Sequence, residues 1–193
     1  MTNWWWIRHG PTHHSNFVGW SDVAADLSNT DGLARLHDHL PDDAVVISSD
    51  LIRCVATADA IQGARERLPH DNQLREFHFG DWELRNYNEI SAENPDLARE
   101  YWSNPGDVAP PNGESWNIGA ARINAAVDRI SETFTGRHIV AVAHFGVILT
   151  QVQRATNMSA TSALGFKIDN LSLTKIEHMG GDDWRVLGVN HNL

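Results

Sequence analysis

The sequence predicts an α/β chain: a three-layer α/β/α sandwich around a mostly parallel central sheet. Three observations carry that expectation. Strand-like segments alternate with helix-like ones along the 193 residues. The strand segments are continuous apolar runs, as strands covered on both faces are. No linker is long enough to divide the chain, so residues 1–193 read as one domain with an irregular insert at about 84–116.

The first strand spans residues 4–8, where Trp4, Trp5, Trp6 and Ile7 end in Arg8. Gly10 and Pro11 break it. Asp31–Leu40 reads as a helix with Thr30 or Asp31 as its cap and Pro41 after it. Ala44–Ser48 is a second apolar strand. Leu51, Val55, Ala58 and Ile61 recur at helical spacing within 51–67, and His70–Arg75 reads as a short extended segment. The irregular part, 84–114, contains Pro95, Pro105, Pro110 and Pro111, and predicts one short helix near 86–102 followed by a loop. Ser115 caps a helix over 115–134. Ile139–Ala143 is a third buried strand, and Gly146–Thr156 a helix. Residues 171–177 and 184–190 alternate as two further strands.

Composition narrows the function. Apolar residues make up 41% and charged residues 21%, which excludes a disordered chain. No apolar run approaches the roughly 20 residues of a membrane helix, and no basic-then-apolar secretory leader is visible. Cys54 is the only cysteine, so no internal disulfide forms, which fits a reducing, cytoplasmic setting. The formal net charge of -10 repels nucleic acid and anionic lipid. An acidic protein still binds phosphate where a few arginines converge.

Ligands of open α/β sheets bind at the carboxyl ends of the strands. Strand one ends in Arg8-His9-Gly10. Strand two ends in Ser48-Ser49-Asp50, with Arg53 one turn into the next helix. Strand three ends in Ala143-His144-Phe145-Gly146. Two histidines and two arginines thus lie where such a sheet brings strand ends together. Each alone is a weak signal; the conjunction is not.

Five stretches resemble the histidine phosphatase (phosphoglycerate mutase-like) superfamily: Arg8-His9-Gly10-Pro11-Thr12, residues 48–58, residues 74–83 around Leu74-Arg75-Glu76, Pro111-Asn112-Gly113-Glu114-Ser115, and residues 142–148 around His144. They occur in the family's order. The end of the chain, with residues 169–172 and Val189-Asn190, looks like its phosphatase branch, and the pattern is somewhat similar to α-ribazole phosphatases.

The resemblance implies roles. His9 would attack phosphorus and become phosphohistidine. Arg8, Arg53 and His144 would surround the transferring oxygens as fixed cations. Glu76 would be the general acid and then the general base, which requires a raised pKa. No metal or other cofactor is implied. The sequence also departs from the family. Where many members carry Asn, this chain has Ser15 followed by Asn16, leaving Ser15 or Thr12 to give a weaker phosphate contact. Phe145 replaces a common Gly after the second histidine and could narrow the pocket, and Leu84 replaces Gly after Trp82-Glu83.

Other candidates read as bland. Adjacent His13 and His14 do not chelate from a strand. His37 and His39 do not share a helix face. Asp81 and Glu83 read as solvated or capping acids. Ser48 and Ser49 lack a nucleophile elbow. Trp102 and Trp116 flank the insert and are candidates for lining a pocket. The expected function is hydrolysis of a small phosphorylated metabolite. The alternatives are mutase-type transfer, for which the insert offers only Arg85 and Arg99 as basic residues, and a non-catalytic phospho-ligand module. An exposed sheet edge offers a place for two subunits to pair.

Overall fold

The computed structural model describes residues 1–193. Its central sheet has six strands in the order β3-β2-β4-β1-β5-β6. They are β1 (Thr2–Arg8), β2 (Val45–Ser48), β3 (Glu66–Arg67), β4 (His138–Ala143), β5 (Leu173–Gly180) and β6 (Asp183–His191). The first four run parallel, and β5 and β6 add an antiparallel edge. There are seven helices: α1 (Thr30–His39), α2 (Ile52–Gln62), α3 (Tyr87–Glu93), α4 (Pro95–Ser103), α5 (Trp116–Thr133), α6 (Phe145–Thr156) and α7 (Ala160–Ala163).

The three tryptophans of β1 show how the layers form. Side chains alternate across a strand. Trp4 and Trp6 therefore share one face, their rings stacked at 4.8 Å, and Trp5 lies on the other. Trp4 and Trp6 join Ile139, Ala141 and the inner residues of α5 and α6 in a cluster of 22 buried residues. Trp5 and Ile7 join Val140, Val142, α1 and α2 in a cluster of 13. Buried indole nitrogens need partners. Trp4 Nε1 donates to Ser131 Oγ at 3.0 Å, and Trp5 Nε1 to His138 Nδ1 at 3.1 Å.

Several boundaries differ from the expectation, each for a local reason. Asn29 caps α1, its side chain accepting from Gly32 N, one residue before the expected cap. The helix after β2 stops at Gln62, because Gly63 takes φ +59. The segment expected to be extended at 70–75 is a 3-10 turn over Asn72–Leu74, and the short strand lies earlier, at Glu66–Arg67. The single helix expected near 86–102 is two. Pro95 at the start of α4 disfavours a helical residue before it, and Asn94 ends α3 while its side chain caps α4 by accepting from Leu97 N. Helix α7 was not expected. The helices α3 and α4 have a small core of their own, Trp82, Ile90, Ala98 and Tyr101, against which Phe17 and Trp102 pack.

Candidate active site

Parallel pairing aligns the ends of β1, β4 and β2. Arg8 is level with Ala143, and Ser48 with Val142. His9 follows β1, His144 follows β4 as the cap residue of α6, and Arg53 lies at the start of α2. The two imidazoles meet edge to face with centroids 5.1 Å apart. Both are buried, as are Arg53 and Glu76. The sequence-based grouping of His9, His144, Arg53, Arg8 and Glu76 is thus one place in space.

Each side chain is pinned. His9 Nδ1 lies 2.7 Å from Gly10 O, and a carbonyl only accepts, so Nδ1 carries the proton and Nε2 the lone pair. Burial, then Arg53, outweigh that bond and hold the imidazole pKa down to about 3. The strand end is fixed as well: His9 N donates to Ala143 O, Asn170 Nδ2 donates to His9 O at 2.8 Å, and Gly10 N donates to Thr57 Oγ1.

Arg53 Nε donates to His144 Nδ1 at 3.2 Å, which places the His144 proton on Nε2. Burial, with Arg53 and His9 adding to it, depresses the His144 pKa well below its ordinary value. His144 is therefore a neutral donor and not the third fixed cation that the sequence suggested. Its Nε2 lies 3.4 Å from the buried Cys54 Sγ, a weak acceptor. The outer nitrogens of Arg53 donate to Ser21 O (2.8 Å) and Gly19 O (2.6 Å). Arg8 donates from one outer nitrogen to Ile168 O at 2.6 Å, while its Nε is buried and unpartnered. Its guanidinium carbon sits 5.5 Å from the Phe145 ring centre.

Glu76 is held by both oxygens: Oε1 accepts from Phe77 N at 3.0 Å and Oε2 from Gly146 N at 3.1 Å. A Cβ on Gly146 would come within 2.4 Å of Glu76 Oε1, so only glycine lets the carboxyl reach the start of α6. Burial raises the Glu76 pKa against those two bonds and the nearby Arg53 and Arg8. Its backbone is clamped too. Trp20 Nε1 and Arg122 donate to Glu76 O, and Arg122 makes a two-point pair with Glu114 at 2.8 and 2.7 Å.

The remaining expectations fare unevenly. Thr12 is half-buried and Ser15 exposed, and neither hydroxyl hydrogen-bonds to the cluster. Asn16 donates to Leu84 O instead. Asp81 is an exposed acid accepting from Asn112, as expected. Glu83 is more than a solvated acid. Its carboxylate accepts from the backbone N–H groups of Gly19, Trp20, Ser21 and Phe79 and from Ser21 Oγ. Burial alone would raise its pKa, but these bonds outweigh it and hold the group below the ordinary range. Glu83 thereby holds the loop whose carbonyls hold Arg53. Sequence reasoning missed this, and also missed Thr57 and Asn170. Trp102 and Trp116 do line a pocket, beside Glu76 and Phe145. No group of three or more metal-ligating side chains is present, and no helix is long and apolar enough to cross a membrane.

Comparison with known proteins agrees with this geometry. The chain is 28% identical to the adenosylcobalamin/alpha-ribazole phosphatase of Salmonella typhimurium, over 86% of this chain and 85% of that one. It is 31% identical to the phosphoglycerate mutase-like protein 4 of Arabidopsis thaliana, over 93% and 81%. The structure of Bacillus stearothermophilus YhfR superposes with a TM-score of 0.89 at 26% identity, covering 100% of this chain and 98% of that one. The profile of the histidine phosphatase superfamily (branch 1) matches residues 4–192, and the chain belongs to that superfamily.

Proposed function

We propose that this protein hydrolyses phosphomonoesters of small metabolites by passing the phosphoryl group through His9. The observation that carries the reading is the His9 ring: neutral, tied at Nδ1 to a carbonyl, and so presenting the Nε2 lone pair beside His144 and the two arginines. Attack needs that lone pair.

The steps balance as follows. Nε2 of His9 bonds to phosphorus as the P–O bond to the alcohol breaks. Glu76, whose pKa burial raises, gives a proton to the leaving oxygen. Water then attacks the phosphohistidine, Glu76 takes a proton from it, the N–P bond breaks and inorganic phosphate leaves. Charge is spread over the three equatorial oxygens during both transfers. Arg8, with its unpartnered Nε, and Arg53 face that charge, and His144 Nε2–H turns from the weak sulfur acceptor to a phosphate oxygen. Thr12 and Ser15, close after His9 in the chain, are the candidates for weaker phosphate contacts.

Hydrolysis is favoured over mutase transfer because Arg85 and Arg99 are spent: they pair with Glu93 and Asp96 at 2.6 and 2.5 Å. The insert thus offers no unpaired cation for a substrate carboxylate. The reaction needs no metal and takes place in the cytoplasm. The test is to mix the protein with a phosphomonoester, quench in alkali and digest. An acid-labile phosphate on the His9 peptide, with steady release of inorganic phosphate, is expected. Isomerisation of 3-phosphoglycerate without phosphate release would make it a mutase. Tight phosphate binding with neither adduct nor turnover would make it a binding module.

A further inference from the structure

Beside the reacting cluster lies a slot lined by ten residues. Six of them are aromatic, and the one carboxyl group among them, with no cationic side chain beside it in the lining, is Glu76. The slot's non-atom space is about 430 Å³ with the open mouth and adjoining solvent counted, and the enclosed part is small, about 50 Å³. Tyr101 and Trp102 come from α4, Trp116 from α5, Phe145 from the start of α6, and Leu164 from the end of α7.

The walls are braced before any ligand arrives. Trp102 stacks on Phe17 at 5.5 Å and meets Tyr101 edge-on at 5.0 Å. Trp116 stacks on Phe77 at 5.3 Å, and its Nε1 is spent on Gln153 Oε1 at 2.7 Å. Trp116 therefore offers the slot ring surface. Arg8, whose guanidinium lies 5.5 Å from the Phe145 ring centre, serves the phosphate, while Arg85, Arg99 and Arg122 are paired with Glu93, Asp96 and Glu114. A leaving group bearing a carboxylate or a second phosphate would lose its hydration against aromatic walls, with no countercharge in return. A flat uncharged ring would instead exchange water for ring contacts. Glu76 in the lining puts the proton donor next to the oxygen that joins such a ring to phosphorus.

We infer that the preferred substrates are phosphomonoesters whose alcohol carries a flat, uncharged, aromatic ring, and that Trp102, Phe145 and Leu164 set this preference. The inference rests on the phosphatase reading for turnover, but its binding part stands alone.

The test separates ring binding from leaving-group acidity by using primary alcohols throughout. The substrates are 2-naphthylmethyl phosphate, ethyl phosphate and 3-phosphoglycerate. In parallel, calorimetry measures binding of the unreactive 2-naphthylmethylphosphonate and ethylphosphonate. The naphthyl compounds should win by on the order of 50-fold in both kcat/KM and Kd. Trp102→Ala should shrink both ratios about tenfold. Leu164→Arg, which supplies a cation, should raise kcat/KM for 3-phosphoglycerate above wild type, a gain that a misfolded protein cannot give. Equal turnover and equal binding of the naphthyl and ethyl pairs would overturn the inference and leave the phosphatase intact. Naphthyl-selective phosphonate binding with no turnover of any ester would support the slot and end the phosphatase reading.

Discussion

The reacting floor and the aromatic cover of this site are built to different standards. The floor stands on the ends of β1, β2 and β4, between clusters of 22 and 13 buried residues. Its five polar side chains all have fixed partners. The cover, α3 and α4 with the loop carrying Phe17, has a core of four buried residues. A floor anchored in the main core cannot change without cost to the whole fold. A cover with its own small core can be repacked while the floor stays. That division lets one chemistry serve many substrates.

Floor substitutions should therefore cost activity on every ester alike, and cover substitutions should reorder the esters. The largest effect is expected for His9→Asn, which removes the nitrogen proposed to attack phosphorus: kcat should fall by about 10⁴-fold or more on alkyl and aryl phosphates alike. A cover variant that abolished all turnover equally would break the division.

Next comes Glu76→Gln. Its loss should be about 10²- to 10⁴-fold for alkyl phosphates. It should be far smaller for 4-nitrophenyl phosphate, whose leaving group departs without a proton. Because burial raises the Glu76 pKa, wild-type activity on alkyl phosphates should fall as pH rises through that value. Kinetics across pH should show the alkaline fall in wild type and not in the variant.

The same division governs what was legible in the sequence. The floor was legible because continuous apolar strands imply a parallel sheet, and such a sheet brings strand ends together. Topology puts His9, Arg53 and His144 at neighbouring strand ends, while their roles, and Glu76 altogether, come from the family resemblance. The loop contacts did not follow. Asn170 reaches His9 O across 161 residues, and Glu83 reaches the 19–21 loop across 62 to 64. Neither spacing leaves a periodic trace. Gly146 looked like an ordinary helix-start glycine, because its need is set by Glu76, 70 residues away. The α3–α4 break did leave a signal, Asn94-Pro95, which the proline-rich surroundings obscured. The neutral state of His144 needed the Arg53 geometry.

Glu83 sharpens the comparison, because it belongs to the cover by sequence and to the floor by effect. Glu83→Gln puts an amide N–H among four backbone donors, so the 19–21 loop should shift and release Arg53 from Gly19 O and Ser21 O. A displacement of that kind should lower kcat/KM by on the order of 30-fold. The loss should be equal for ethyl and naphthylmethyl phosphates, and vanadate inhibition should weaken in step. An unequal loss would place Glu83 with the slot.

The smallest effect is one of stability, and it tests how dry the floor is. His9 titrates at about 3 when folded against an ordinary 6.5. A depressed histidine adds nothing unfavourable above 6.5, where both states are neutral. Below that, the unfolded chain takes up a proton that the folded one refuses, so stability is lost as pH falls from 6.5 towards 3. At about pH 5 the loss from His9 is ~2 kcal/mol. His144, depressed for the same reason, adds to it. Urea unfolding at about pH 7.5 and about pH 5 should show His9→Asn losing less stability than wild type by roughly that amount. A cover variant such as Trp102→Ala should lose as much as wild type, because no shifted histidine lies in that wall. If His9→Asn and wild type weaken in parallel, the imidazole is already protonated at about pH 5 in the folded state, and a protonated ring has no lone pair with which to attack phosphorus.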